Sequence, residues 1–194
     1  MLTVTRGMAP SCSAGQWVTR VSWLSERQRD GGIDEVPIDG ATGSMWLCGK
    51  HRIGPNPDGV VASVDASAVV CLTEAHELAD RYPGYVNWLT TDPRAIWFPI
   101  PDLSVPDSDE WTALIADLLD RVRSGSNIII HCAAGIGRAG TAACSVLLAA
   151  GMSLDDAERR VADCRLGAGP QSRDQAQFIR EWAESSPIVA HPDL

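Results

Sequence analysis

The stretch from Asn127 to Ala150, NIIIHCAAGIGRAGTAACSVLLAA, decides the fold. Its isoleucine run ends at His131 and has the composition of a strand buried on both faces. Gly135 and Gly137 then interrupt the pattern within a short loop. From Ala139 to Ala150 the chain is apolar nearly all round, which predicts a helix in the middle of the core. The reading is strand, glycine-bearing loop, helix. A thiol, Cys132, stands at one end of the loop and a guanidinium, Arg138, at the other.

Outward from this unit the same alternation continues. SAVVCLT (67–73) reads as a compact buried strand. AIWFPIP (95–101) reads as a strand that its prolines confine to an edge or a strand end. SMWLCG (44–49) is a short strand, and QWVTRVSWL (16–24) alternates as a strand does. DSDEWTALIADLLDRVRSG predicts an amphipathic helix, capped by Asp107 or Ser108 and ended by Gly125. EAHELADRY (74–82) predicts a helix stopped by Pro83 and Gly84. SLDDAERRVADCR and SRDQAQFIREWAE predict two more, capped by Ser153 and Ser172. SERQRDGG and KHRIGPNPDG read as loops, and YVNWL is too short to type. Strands and helices alternate, so the class is α/β with a helix-flanked sheet. The chain divides into a loosely held start (1–15), one domain (16–185) and a tail (186–194).

The bulk numbers bound the function. A net charge of -9 repels nucleic acid and anionic lipid on average, so neither is an expected partner. Six cysteines are too sparse for a disulfide scaffold, so reduced thiols are expected. No apolar run approaches the ~18 residues of a membrane span, and the start lacks the apolar core of a secretory signal. Together these predict a cytoplasmic chain. The sequence does not indicate the oligomeric state.

The loop between strand and helix has a chemical logic. Its backbone N–H groups can turn inward, and the helix adds its unsatisfied first-turn N–H groups and its dipole. Ala133, Ala134, Gly135, Ile136, Gly137 and Arg138 then form an anion cradle of phosphate size. Positive potential at its base favours a thiolate at Cys132. Arg138 can fork onto two anion oxygens, which a lysine cannot do in one plane. A Walker loop would need Gly-Lys-Ser or Gly-Lys-Thr, which is absent. Cys48-x-x-His51 offers half a zinc site, but with His131 and Cys132 it fits no standard zinc module.

HCAAGIGRAGT resembles the signature of the cysteine-dependent protein tyrosine and dual-specificity phosphatase superfamily. VVCLTEAHEL, FPIPDLSVPD and GPQSRDQAQFI fall around it in the expected order. The likeness spans about 45–184 and is greatest to the small group that includes the cyclin-dependent kinase-associated phosphatases. It implies a single domain with a central, mostly parallel sheet between two helical layers, no metal or other cofactor, and a phosphocysteine intermediate. It implies a phosphoprotein or phosphopeptide as substrate, with phosphotyrosine first and phosphoserine or phosphothreonine beside it. A weakly catalytic phosphoresidue-binding module and a phosphatase of a non-protein ester such as a phosphoinositide are the alternatives.

The likeness also assigns roles. Cys132 is the nucleophile, Arg138 the phosphate ligand and Asp102 the general acid; Asp107 and Asp109 read better as helix cap and first-turn charges. His131 orients the loop, and Gln171 and Gln175 match the glutamines that position water. Cys71, at a strand end, matches a resolving cysteine that pairs with an oxidised nucleophile, while its plain reading is a core residue. Arg165 and Arg173 could lend positive charge, but arginine on such segments is usually solvated. One departure stands out: Ala139 occupies the place of a Ser or Thr whose hydroxyl would bond the departing thiolate, and Thr141 stands too far along to replace it.

Overall fold

The isoleucines of 128–130 form the middle of the central strand. In the computed structural model, which describes residues 30–189, β5 (Asn127–Cys132) is the centre of a five-stranded sheet. Its neighbours are β2 (Ser44–Gly49) and β3 (Ala66–Cys71), both parallel to it. Beyond β3 lies the parallel edge strand β4 (Ala95–Trp97); beyond β2 lies the antiparallel edge strand β1 (Ile33–Pro37). The order is β1-β2-β5-β3-β4.

Strand periodicity divides the side chains between two layers. Ile128, Ile130 and Cys132 face one, and Ile129 faces the other. The first layer is covered by α5 (Ser108–Arg123), α6 (Gly137–Ala149), α7 (Leu154–Cys164) and α8 (Arg173–Ser185). The second is covered by α1 (Lys50–Ile53), α2 (Pro57–Ser63), α3 (His76–Ala79) and α4 (Pro83–Thr91). Full burial of each such aliphatic side chain contributes ~1.5–3 kcal/mol over leaving it exposed. α6 lies deepest, with Arg138 through Ala149 all buried, as its all-round apolar pattern predicts.

The caps fall where expected. Asp107 accepts from the N–H groups of Asp109 and Glu110, Ser153 from Asp156, and Ser172 from Gln175. Three readings change, and one strand had gone unread. KHRIGPNPDG is not a plain loop, since it holds α1 and the start of α2, which has Asn56 as cap and Pro57 at the first position. YVNWL is part of α4, again opened by a proline, Pro83. The helix predicted over 74–82 shrinks to α3, because Glu77 turns back to accept from the Glu74 N–H and Pro83 starts a new helix. IDEVP forms β1, an edge strand too short and mixed in pattern to stand out in the sequence. The strand predicted over 16–24 lies outside the described residues, as does the tail beyond 189.

Candidate active site

Cys132 ends β5, and its Sγ accepts from the Gly135 N–H at 3.3 Å. The loop therefore closes over the thiol with at least one amide aimed at it. Gly135 has φ +74°, and a Cβ there would stand 2.3 Å from the Cys48 carbonyl oxygen. Only glycine satisfies both the left-handed backbone and the close approach to β2. Lys50 N donates to Ala133 O at 3.1 Å, tying the loop to the start of α1. α6 then begins at Gly137, so its first-turn N–H groups lack intrahelical acceptors and face the loop end.

Arg138 is 3% exposed and firmly held. Its Nη1 and Nη2 donate to the two carboxylate oxygens of Glu77 at 2.6 and 2.8 Å. Nη1 also donates to Ile100 O at 2.7 Å and Leu72 O at 3.3 Å. Burial opposes the Arg138 charge, but the Glu77 hydrogen bonds and nearby negative charge more than offset it, raising its pKa. Burial likewise pushes Glu77 up; the bonds to Arg138 win, and its carboxyl lies below the ordinary value. Such a bidentate pair fixes the plane of the guanidinium before any ligand arrives.

Asp102 Oδ1 stands 3.1 Å from Arg138 Nη2, with its side chain 68% exposed. Its loop is anchored to α8: Ser172 Oγ donates to Leu103 O at 2.8 Å, and Gln175 Nε2 to Ser104 O at 3.2 Å. Leu103 takes φ 59°, a strained value for a branched non-glycine residue. Cys132, Arg138 and Asp102 thus converge at the carboxyl ends of the parallel strands, where open α/β sheets place their ligands.

The supporting residues are also near. Gln171 N donates to Gln175 Oε1 at 2.9 Å, and both side chains approach the Gly137 Cα closely enough to touch a Cβ there. His131 is fully buried, with Nε2 2.6 Å from Tyr85 Oη. Burial pushes its pKa down to about 4, against a weaker pull from the Cys132 backbone, so it is a neutral spacer at neutral pH. Cys71 stands in register with His131 and faces the layer of Cys48, away from that of Cys132; its Sγ is 3.1 Å from Thr73 Oγ1. Burial raises Cys71 to about 11 and Cys48 to about 12. Ala139 is fully buried, and the Thr141 hydroxyl donates to Gly137 O at 3.0 Å, within its own helix.

Two residues escaped the sequence reading. Glu77 lies 61 positions from Arg138, in a segment that looked like an ordinary helix. Arg165, expected to be solvated, is 4% exposed and sits behind the loop. It donates to Gly135 O and Ala134 O at 2.8 Å each and pairs with Asp34 at 2.6 Å. With the Ala134 carbonyl held outward, the Gly135 N–H of the same peptide unit turns inward, toward the thiol. The helix periodicity of 154–164 gives no signal for this, because Arg165 follows the last turn.

Strand, loop, helix, buried thiol and locked guanidinium form the arrangement that the likeness to cysteine-dependent phosphatases implies. Over residues 58–191 the chain matches the family described as PTP-SAK: Swiss Army Knife protein, DSP-PTPase phosphatase domain, and it belongs to that family. It is similar to Tk-PTP, solved in its active form, with 30% identity and a TM-score of 0.62 over 78% of this chain and 97% of that one. A kinase associated phosphatase with its catalytic cysteine replaced by serine shares the fold at 18% identity and a TM-score of 0.65, covering 82% of this chain and 97% of that one. PTPMT1 shares it at 17% identity and a TM-score of 0.60, covering 77% and 94%. No curated protein sequence matches the chain. Among the described residues, no helix is long and apolar enough to cross a membrane.

Proposed function

We propose that the chain hydrolyses phosphotyrosine, and with it phosphoserine and phosphothreonine, in protein substrates through a phosphocysteine intermediate. The observation that carries this reading is the convergence on Arg138: Glu77 fixes its plane from behind while Asp102 meets its other edge at 3.1 Å. A phosphate seated on the inward amides receives the Cys132 sulfur in line. As the S–P bond forms and the P–O bond breaks, Asp102 gives its proton to the leaving oxygen. Water held near Gln171 then attacks phosphorus, Asp102 takes its proton, and the thiolate leaves with phosphate freed. Gln175 acts at one remove, since its amide joins Gln171 to the acid loop. His131, neutral and bonded to Tyr85, fixes the strand end on which the thiol stands.

Hydrolysis of para-nitrophenyl phosphate by the wild type and by Cys132→Ser tests this. The serine variant should lose turnover and keep vanadate binding, because the amides and Arg138 remain in place. Turnover that survives in Cys132→Ser rules out the phosphocysteine route.

A further inference from the structure

Among the described residues, two large apolar side chains stand well out in solvent: Leu103, 57% exposed, and Leu166, 89% exposed. Each adjoins a residue of the candidate site or of its brace. Leu103 directly follows the acid Asp102. Leu166 directly follows Arg165, in the loop that packs on the cradle through the Gly169 N–H and Ile136 O at 3.2 Å. The two loops are joined, since Ser172 Oγ donates to Leu103 O at 2.8 Å. Leu103 also holds its exposed position in a strained left-handed backbone, φ 59°. Two exposed leucines, each one position from a residue tied to the site, offer apolar surface that a ligand seated there can cover.

A groove of about 650 Å³ continues from the outer side of the acid loop. Its floor is apolar, with Trp97, Phe98, Pro101 and Pro106, and Asp107 and Glu110 stand along it. The strand beside it, β4, is the edge of the sheet. An apolar floor with carboxylates suits a chain segment carrying apolar and basic side chains. It does not suit an anionic membrane, which the net charge of -9 also repels.

We propose that Leu103, Leu166 and this groove form a docking rim for the polypeptide that carries the phosphoresidue. The rim selects apolar side chains next to the phosphoresidue and a basic one further along. The proposal rests on the phosphatase reading for where the phosphate sits.

The test is anisotropy binding of two fluorescein-labelled phosphotyrosyl peptides to the Cys132→Ser chain. One peptide has leucine and lysine around the phosphoresidue; the other has serine and glutamate. The first should bind about tenfold or more tightly, an easily resolved difference. Adding Leu166→Ser should remove most of that preference, and adding Glu110→Lys should shift it toward the glutamate peptide. In the otherwise wild-type chain, both substitutions should leave para-nitrophenyl phosphate turnover unchanged. Equal binding of the peptides, or a preference that survives both substitutions, overturns the docking rim. So does Leu166-dependent binding to phosphoinositide vesicles tighter than to either peptide. If para-nitrophenyl phosphate is not hydrolysed but the peptide preference holds, the catalytic reading falls and the docking rim stands.

Discussion

At the residue scale the central question is what Arg138 has left to offer a substrate. Nη1 is committed to Glu77 and two carbonyls, and Nη2 is shared between Glu77 and Asp102. That leaves Nε and the Asp102-facing hydrogen of Nη2 for phosphate oxygens. In the proposed mechanism an arriving phosphate takes the place of Asp102 on the arginine and frees it to meet the leaving oxygen. Asp102→Asn should lower kcat by ~10²–10⁴ on an ester with a poor leaving group, and less on para-nitrophenyl phosphate. Asp107→Asn should affect helix stability and not the leaving-group dependence, because Asp107 caps α5. The reverse result would make Asp107 the acid. In the proposed mechanism Ala139 leaves the departing thiolate without the hydroxyl that the signature resemblance implies, and Thr141 is turned to Gly137 O. Ala139→Ser should speed decay of the phosphoenzyme, measured by rapid quench, by an amount corresponding to ~1–3 kcal/mol. An unchanged decay would show that another donor fills the place.

At the element scale the cradle loop is held from behind as much as it is shaped by its own glycines. The cradle was legible in the sequence because thiol, glycines and arginine are contiguous, and a strand-loop-helix unit fixes where each points. The brace was not legible. Arg165 reaches the loop from the end of α7 and Asp34 from an edge strand 131 positions away, so no local periodicity connects them. Glu77 was hidden in the same way. The helices α2 and α4 were missed because each begins at a proline, which reads first as a loop signal and only second as a helix start. Arg165→Met removes the donors that hold the Ala134 and Gly135 carbonyls and takes the guanidinium from buried Asp34. It should destabilise the fold by ~3–5 kcal/mol. It should also weaken vanadate binding in the fraction that remains folded, with kcat falling more than KM rises. Arg165→Lys should recover stability better than vanadate affinity, since a point charge cannot reach both carbonyls in one plane. Full vanadate affinity in Arg165→Met would show that the loop keeps its amides inward without the brace.

At the scale of the whole molecule the site adds a pH dependence to the fold. His131 lies at the centre of the sheet with its pKa pushed down to about 4 by burial, whereas a solvated histidine titrates near 6.5. Above pH ~6.5 neither the folded nor the unfolded chain protonates this ring, and its full contribution to stability is present. Between ~6.5 and ~4 the unfolded chain takes up a proton that the folded chain refuses, so stability falls with pH and then levels off. A displacement of this size corresponds to ~3 kcal/mol across the window. Glu77 acts in the same direction at lower pH: its carboxyl is held below the ordinary value, so its share is present above that value and lost as pH falls through the folded one. Denaturant unfolding at pH 7, 5.5 and 4 separates the two. His131→Gln, which keeps a polar partner for Tyr85 Oη, should start less stable at pH 7 and lose ~3 kcal/mol less than wild type on going to pH 4. Parallel losses in the two proteins would mean that the ring accepts its proton inside the fold, and that the contact with Tyr85 opens before the sheet does.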